Sequence, residues 1–286
     1  EPLFGVPGSG AAALFVGLTG GYPSGAQSVG ALYGGGSIDR KTAKRLLLFC
    51  NNCGPAFLFG VVGPSVFGSS LAGLLLYLVH VASSLLLGIF VRKSGHMQER
   101  TAQDAEKVPS VSFSSALTAS VKKSGQTALE VCMFVVVFGV VTAMVQTALR
   151  PVLPDWALVI VSGLLELSGG ASALAEAAMP QGVKFALASF FLAFGGLSVH
   201  AQTKAVLSSA GLDGLPVFFP KLLHALLAGV LSLPIYALFR AQLEAAQVFL
   251  PQAPALLLPA MELMLCAAIC LAFRKMAGSN LRRDRV

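Results

Sequence analysis

Seven ionisable residues lie inside otherwise apolar stretches, where a charge or a titrating proton is costly and therefore points to function. Glu166 is the most informative, because the glycine-rich run Ser168–Gly170 begins two residues after it. His200 and Gln202 follow a second such run, Gly195–Ser198. These side chains could hold a polar solute or relay a proton, or they could simply bond backbone groups freed by the breaks. The seven residues are His80, Glu130, Glu166, Lys184, His200, His224 and Glu262.

Small and amide side chains stand where helices must start again after these breaks. A helix N-terminus presents free N–H groups and a partial positive charge, which suits an anionic or polar ligand. Asparagine adds both donor and acceptor groups. We therefore predict a substrate-binding site formed by Ser24, Gly25, Asn51, Asn52, Glu166, Ser168, Gly169, Gly170, Ser198, His200 and Gln202.

Catalytic, metal and cofactor sites are not predicted. The motifs Gly-x-Ser-x-Gly and His-Glu-x-x-His are absent from the sequence, so we expect no enzyme activity. Cys50 and Cys53 have CxxC spacing, but they lie in an apolar segment without a βαβ pattern, which favours small packing residues. The chain has five cysteines, and they form neither a disulfide framework nor a tetrahedral metal set.

The composition indicates whether the folded chain is surrounded by water or by lipid. Of its 286 residues, 55% are apolar and 12% are charged, and the mean hydropathy is +0.77. Soluble domains carry about 25% charged residues, so a water-soluble form would expose far more apolar surface than a monomer tolerates. The net charge of +7 sits in short clusters between apolar runs. That pattern is typical of cytoplasmic loops, and we predict a lipid bilayer as partner and no nucleic acid.

The apolar segments are of two kinds. Candidate spanning helices without a glycine-rich break are Leu71–Val91, Ala128–Leu149, Val217–Phe239 and Ala255–Phe273. Segments interrupted by glycine, proline or asparagine are Gly8–Gly36, Leu46–Gly63, Trp156–Pro180 and Phe185–Leu207. Irregular backbone in a membrane is tolerated only where it is buried in protein or lines a wet cavity, so four breaks predict an internal cavity. The alternative is that the glycines only let helices pack closely.

The breaks recur in the same order in both halves of the chain. A shift of 145 residues places Gly25 on Gly170 and the segment Asn51–Pro55 on Gly196–His200. Paired broken segments in corresponding halves are the best sequence indication of a transporter binding site. We predict an all-α polytopic membrane protein with two repeats, each holding a re-entrant helical hairpin and a broken transmembrane helix.

Charge distribution predicts that the two repeats are inverted. The basic clusters at residues 40–45, 92–123 and 274–285 are all expected on the cytoplasmic side, together with the C-terminus. The first repeat then covers residues 1–127, with a cytoplasmic loop over 92–127. The second covers residues 128–286 and includes a last transmembrane helix and a basic tail. If the repeats are equivalent, two further spanning helices are expected ahead of Glu1.

Six short motifs carry a resemblance to a known family. In the first half these are Gly21–Gln27, Asp39–Leu46 and Phe49–Phe57, and in the second half Leu165–Gly170, Phe194–Gln202 and Lys221–Ala225. In this order they resemble the YlbJ family of integral membrane proteins from endospore-forming bacteria. That family contains the nucleoside-recognition or Gate domain, which also occurs in spore maturation proteins, in ferrous-iron transport proteins and, more distantly, in concentrative nucleoside transporters.

The resemblance implies a transporter-like protein that acts in sporulation, with dipicolinate, a small dicarboxylate, as the solute. From the sequence we predict a transporter of a small polar or anionic metabolite in the bacterial cell membrane or a forespore-surrounding membrane. A non-transporting membrane gate or scaffold subunit working in a complex is the alternative, as is a nucleoside or metal-ion permease. Partners would be the solute, lipid and either a second copy or other sporulation membrane proteins.

Overall fold

All regular elements in the described part of the chain are helical. The computed structural model describes residues 3–92 and 112–249. In chain order the helices are α1 (Gly10–Gly20), α2 (Ser24–Gly34), α3 (Arg40–Leu47), α4 (Pro55–Phe67, with a π-helical turn at Leu58–Val62), α5 (Ser70–Phe90), α6 (Phe113–Leu149), α7 (Asp155–Leu165), α8 (Leu167–Glu176), α9 (Gln181–Phe194), α10 (Gly196–Ser209) and α11 (Phe218–Phe249). The predicted all-α class is confirmed for these residues.

Among the described residues, four helical stretches are long and apolar enough to cross a membrane. They are α5, α6, the continuous pair α9–α10 and the part Phe218–Ala245 of α11. Three of the predicted unbroken spans therefore correspond to α5, α6 and α11, whereas Ala255–Phe273 lies outside the described residues. The chain is a membrane protein with at least these candidate spans.

Helix α6 is longer than the sequence predicts. It begins at Phe113, inside the segment 92–127 that we expected to be a loop, and runs for 37 residues to Leu149. The hydroxyl of Ser112 accepts the backbone N–H of Ser115 and caps the helix. At about 1.5 Å per residue the helix is much longer than the roughly 30 Å bilayer core. Its polar first turns therefore extend beyond the membrane.

The helices break at or close to the predicted places. Gly21 separates α1 from α2, and the segment 48–54 separates α3 from α4. In the second half, Gly195 and Gly196 have φ angles of +83° and +69°. Such positive φ values strain any side chain with a Cβ, which explains why the chain uses glycine there.

The break in the second hairpin lies two residues before its predicted position. We expected it at Ser168–Gly170, but α7 ends at Leu165 and α8 begins at Leu167. Glu166 alone is extended, with φ −143° and ψ 128°. Its carboxylate Oε2 accepts the N–H of Gly169 at 2.6 Å, so Glu166 is the N-cap of α8. The helix therefore begins before the glycines, and not after them as we expected.

The order hairpin, shorter helix, break, helix, long helix occurs in each half. The elements are α1–α2, α3, α4 and α5 in the first half, and α7–α8, α9, α10 and α11 in the second. In each half the hairpin junction packs against the break of the same half: Gly21 against the backbone of Gly54, and Glu166 against Gly196. The two halves therefore share both an order of elements and a packing relation.

The core is formed mainly by α5, α9 and α11, with α4 and α8 packed at one end. Phe67 of α4 meets Phe185 of α9 edge to face, with ring centroids 5.6 Å apart, so the core joins the two halves. Helix α6 lies at the periphery, where Leu129, Met133 and Val136 are each more than half exposed. Apolar side chains exposed on a spanning helix are suited to lipid.

Candidate functional site

All four breaks meet at one cavity of about 210 Å³. The first hairpin junction contributes Gly20–Tyr22, and the break of the first half contributes Cys53 and Gly54. The second half contributes residues 166–168 from its hairpin junction and Ser198, Val199 and Gln202 from α10. Val131 and Val135 of α6 complete the lining. The cavity thus lies between the two halves and beside the one helix that connects them.

Four helices begin at the wall of this cavity. They are α2 after Tyr22, α4 after Gly54, α8 after Glu166 and α10 at Gly196. The first N–H groups of a helix have no acceptor within the helix and carry the positive end of its dipole. Several such ends around one small space produce a positive potential without any charged side chain, which favours a polar or anionic ligand.

Glu166 lies in the cavity wall, but its carboxylate is already engaged. The side chain is 3% exposed, and Oε2 accepts the Gly169 N–H at the start of α8. The carboxylate thereby satisfies one of the four helix N-termini. At the other three N-termini the N-cap residue makes no side-chain bond, but in the first turn of α2 the N–H of Ala26 donates to Asn51. The helix dipole of α8 offsets the negative charge of Glu166, so the site is not simply acidic.

The second half provides the polar groups of the cavity. Ser198 is fully buried and its hydroxyl has no hydrogen-bond partner. Gln202 lies one turn further along α10 and also lines the cavity. A buried hydroxyl without a partner is unfavourable, and a bound solute can provide the missing bond. Of the predicted site residues, the cavity therefore includes Glu166, Ser168, Ser198 and Gln202.

His200 is not part of the cavity lining. Its ring packs between Phe194 and Phe218, with centroid distances of 4.7 and 5.5 Å. Neither ring nitrogen has a hydrogen-bond partner. A helix turns by about 100° per residue, so residue 200 lies nearly opposite Ser198 on α10, whereas Gln202 returns to the same side as Ser198.

The two asparagines hold the break of the first half together and do not line the cavity. Asn51 Oδ1 accepts the N–H of Ala26 at 3.4 Å, and Asn51 Nδ2 donates to Thr203 Oγ1 at 3.0 Å. Asn52 Nδ2 donates to the carbonyl oxygen of Phe49 at 2.7 Å, while its Oδ1 has no partner. Asn51 therefore bonds the break to α2 of its own half and to α10 of the other half.

The remaining predicted site residues lie where the backbones of neighbouring segments approach each other closely. Ser24 Oγ bonds only the carbonyl of Gly20, at 3.5 Å. A Cβ on Gly25 would lie 2.2 Å from the carbonyl oxygen of Cys50, and one on Gly170 would lie 2.3 Å from Gly163 Cα. Gly169 gives its N–H to Glu166. These residues shape the walls and junctions, which fits the alternative reading of the glycines as close-packing positions.

The other deep ionisable residues have separate places. Lys184 donates to the carbonyl of Ala175 at 3.0 Å and so joins α9 to the end of α8. Glu130 accepts Gln126 at 3.0 Å on α6, and Glu262 lies outside the described residues. Cys50 and Cys53 are buried free thiols.

Sequence reasoning missed one residue of the cavity wall, Tyr22, and one residue behind that wall, Lys221. The Tyr22 ring lines the cavity, and its hydroxyl donates to the carbonyl oxygens of Leu192 and Ala193 at 3.1 and 3.2 Å. The Nζ of Lys221 lies 4.8 Å from the centroid of the Tyr22 ring. A lysine three residues before His224 in an apolar helix was the available signal, since such residues are functional candidates by default.

A second, wider cleft of about 990 Å³ lies further along the same helices. Its lining includes Lys122 and Lys123 on α6, Gly34 at the end of α2, and Ala205, Val206 and Ser209 of α10. Gln27 Nε2 donates to Thr127 Oγ1 at 2.9 Å and joins α2 to α6 within the lining of this cleft. The two spaces therefore follow one groove between α6 and α10.

One curated relative supports the family resemblance. The chain is 29% identical over 263 residues to the sporulation integral membrane protein YlbJ of Bacillus subtilis (strain 168), and this region covers 80% of the chain and 64% of the relative. The chain thus spans less than two-thirds of that relative's length. No protein-family model matches the chain, and no solved structure does so either. The similarity confirms the resemblance that the motifs predict, and this chain is an integral membrane protein of YlbJ-like sequence.

Proposed function

We propose that the protein is a membrane transporter whose small polar or anionic solute binds in the 210 Å³ cavity between the four breaks. The observation that carries this proposal is the convergence of four helix N-termini, two from each half, on that one space. A purely structural role would not need irregular backbone at four places around one cavity.

The chemistry of the lining favours a small solute with acceptor groups. The N-termini of α4 and α10 lack a side-chain cap, and the hydroxyl of Ser198 has no partner among the described residues. Drug-sized ligands occupy pockets of about 300–1,000 Å³, so this cavity suits a smaller molecule. Dipicolinate, the solute that the family resemblance implies, is a compact dicarboxylate of this class.

The proposal includes two repeats of opposite orientation. Helix α6 contributes Lys122 and Lys123 to the cleft that also contains Gly34 at the end of the first hairpin, and its other end leads directly into α7. The open ends of the two hairpins are therefore associated with opposite ends of one spanning helix. Both junctions meet beside Val131 and Val135, at its middle. This arrangement supports hairpins that enter the membrane from opposite sides.

The wider cleft supports a route of entry. It lies on the side of Lys122 and Lys123, and basic residues mark the cytoplasmic side. Their charges would attract an anion before it passes Gln27 and Thr127 toward the cavity. We propose a role in sporulation on the similarity to YlbJ, and no catalytic activity.

Uptake by proteoliposomes tests the proposal. Vesicles that contain the purified full chain and unlabelled dipicolinate should take up radiolabelled dipicolinate by exchange, whereas protein-free vesicles should not. Ser198→Ala should weaken the solute affinity about tenfold or more, because a buried hydrogen bond contributes about 1–3 kcal/mol. Ser208→Ala, on the exposed side of the same helix, is the matched control and should behave as the parent protein.

Two other results would favour the alternatives. If dipicolinate does not exchange but uridine or ferrous iron does, the protein is a permease of a different class. If none of the three crosses the membrane while a second membrane protein co-purifies in fixed ratio, a gate or scaffold subunit is the better description.

A further inference from the structure

A group of buried basic side chains lies directly behind the cavity and lines no part of it. We call His80 of α5 and Lys221 and His224 of α11 the basic cluster. Their exposed fractions are 1%, 3% and 0%. Lys221 Nζ stands 4.8 Å from the centroid of the Tyr22 ring, and Tyr22 is part of the cavity wall. The cluster is therefore one aromatic ring away from the solute site.

Hydrogen bonds assign the proton positions within the cluster. His224 Nε2 lies 3.2 Å from the carbonyl oxygen of His80, which can only accept, so this nitrogen carries a hydrogen. It also lies 3.0 Å from the hydroxyl of Ser83. His224 Nδ1 is then unprotonated and accepts from Lys221 Nζ at 3.4 Å. A chain of hydrogen bonds thus leads from Lys221 to the backbone of α5.

Lys221 faces no carboxylate among the described residues. The titratable side chains that face it come from the first hairpin junction, the first break, α5, α10 and α11, and they are Tyr22, Cys50, Cys53, His80, His200 and His224. Burying an ammonium group without an anion is strongly unfavourable. The amine is therefore stable either as the neutral form or as the ammonium form when an anion lies nearby.

His80 connects the cluster to the cavity wall. Its Nε2 accepts the backbone N–H of Cys53 at 3.0 Å, and its Nδ1 is buried without a partner. A proton that reached Nε2 would remove the acceptor of Cys53, a residue that lines the cavity. The protonation state of the cluster is thus linked mechanically to the break of the first half.

We propose that the basic cluster, centred on Lys221, is the binding site for a proton that moves together with an anionic solute; this rests on the transport function proposed above. The lone pair of the neutral Lys221 Nζ takes one proton from water on the side where the solute enters, and the same nitrogen releases it on the other side. No bond to the solute is made or broken. Because linkage is reciprocal, a solute anion that favours the ammonium form is itself bound more tightly when Lys221 is protonated.

Proteoliposomes that contain the full chain test this inference with two readings. Exchange of labelled dipicolinate at equal pH on both sides measures solute binding and movement without a driving force. Accumulation driven by an imposed pH difference, with a pH-sensitive dye inside the vesicles, measures coupling. The parent protein should accumulate dipicolinate toward the alkaline side, and the dye should report proton entry at the same time.

Lys221→Met should retain exchange and lose the pH-driven accumulation together with the dye signal. Its melting temperature in detergent should be equal to or higher than that of the parent, because an uncompensated buried amine is replaced by an apolar chain of similar length. Lys204→Met, at an exposed position on α10, is the matched control and should keep both readings.

His224→Gln provides a second test if Lys221→Met does not fold. Glutamine can still accept from Lys221 and donate to His80, but it does not titrate, so the pH dependence of accumulation should shift while exchange remains. Normal pH-driven accumulation by a folded Lys221→Met or His224→Gln protein would overturn the proton site. Exchange by the parent without any response to the pH difference would overturn coupling and leave transport standing. Absence of exchange by the parent would overturn both proposals.

Discussion

The two broken helices of this protein accommodate their irregular backbone in different ways. The break of the first half, residues 48–54, is long and bonded by side chains: Asn51 bonds α2 and α10, and His80 accepts the N–H of Cys53. The break of the second half consists of two glycines with positive φ. Close to it, the hydroxyl of Ser198 and both ring nitrogens of His200 have no partner.

This difference in hydrogen bonding predicts different roles for the two breaks, one in stability and the other in ligand contact. In the first break only Asn52 Oδ1 lacks a partner among the described residues, and this atom does not line the cavity. The second break leaves a buried hydroxyl at the cavity wall that can still form a hydrogen bond. We therefore expect substitutions in the first break to change mainly stability, and those beside the second break to change mainly solute binding.

The largest effect is expected from glycines that let the backbones meet. In Gly17→Ala the new Cβ would lie 1.6 Å from the carbonyl oxygen of Cys50, and in Gly170→Ala it would lie 2.3 Å from Gly163 Cα. Overpacking of this kind typically costs about 1–3 kcal/mol, and rigid backbone on the other side makes these sites severe. Thermal unfolding in detergent should show a marked loss for both.

Gly139→Ala is the matched control for these two variants. Position 139 on α6 has no heavy atom within 4 Å of a built Cβ. The added methyl group should leave stability unchanged or raise it by up to about 1 kcal/mol through helix propensity. Unaltered melting of Gly17→Ala would show that the first break does not dock against α1 as described.

Asn51→Ala should destabilise the protein by about 1–3 kcal/mol, because it leaves the buried N–H of Ala26 and the hydroxyl of Thr203 without partners. Thr203→Val removes only the second of these bonds and should cost less. Unfolding in detergent by a chemical denaturant measures both variants. If Asn51→Ala weakens solute exchange at normal stability, the asparagine contacts the solute and our division between the two breaks is wrong.

Ser198→Ala should leave stability within about 0.5 kcal/mol of the parent, since its hydroxyl bonds nothing in the protein. The same variant should weaken dipicolinate exchange, as proposed above. Melting and exchange measured on one preparation separate the two effects. A clear loss of stability would mean that the hydroxyl has a structural partner, and the contrast with Asn51 would disappear.

Tyr22→Phe removes one hydroxyl that joins the first hairpin junction to the carbonyl oxygens of Leu192 and Ala193 in the second half. The expected cost is about 0.5–1.5 kcal/mol, the net value of one hydrogen bond. Tyr33→Phe, at a half-buried position in α2, is the control and should be nearly neutral. Equal melting temperatures for the two variants would contradict the bond between halves.

The smallest effect concerns the start of α3, outside the membrane. Asp39 caps this helix by accepting the N–H of Thr42 at 2.7 Å. Burial alone would raise the pKa of Asp39, but the hydrogen bonds from Thr42 and the charge of Lys41 outweigh it, and the pKa is lowered. Asp39→Ala should cost about 1 kcal/mol, and Asp39→Asn should cost little, since both native and asparagine side chains cap well.

The pH dependence of that contribution follows from the sign of the shift. Because the folded pKa is lowered, the stabilisation is present above the unfolded value of about 3.9 and is lost as pH falls through the folded value. Melting curves in acidic buffers should therefore show a loss for the parent that is smaller in Asp39→Asn. Identical acid dependence in the two proteins would contradict the lowered pKa.

Much of the architecture follows from local features of the sequence. The composition predicts a lipid environment, and the lengths of the apolar runs predict the spans α5, α6 and α11. Glycine, proline and asparagine mark the places where helices are interrupted. These are properties of a few consecutive residues, because helix propensity and capping act within one or two turns. The length of α6 was underestimated for a similar reason: polar residues 113–127 lack an apolar pattern and form helix as a continuation of the spanning segment.

Only the tertiary structure decided which side chains line the cavity. Asn51 and Asn52 resemble ligand groups in the sequence, but buried backbone groups at the first break needed partners, and the nearest amides bond them. Tyr22 and Lys221 come from opposite halves and meet only because α11 packs behind the first hairpin junction. No local pattern encodes a contact between residues so far apart in the chain, because it depends on how all the helices pack together.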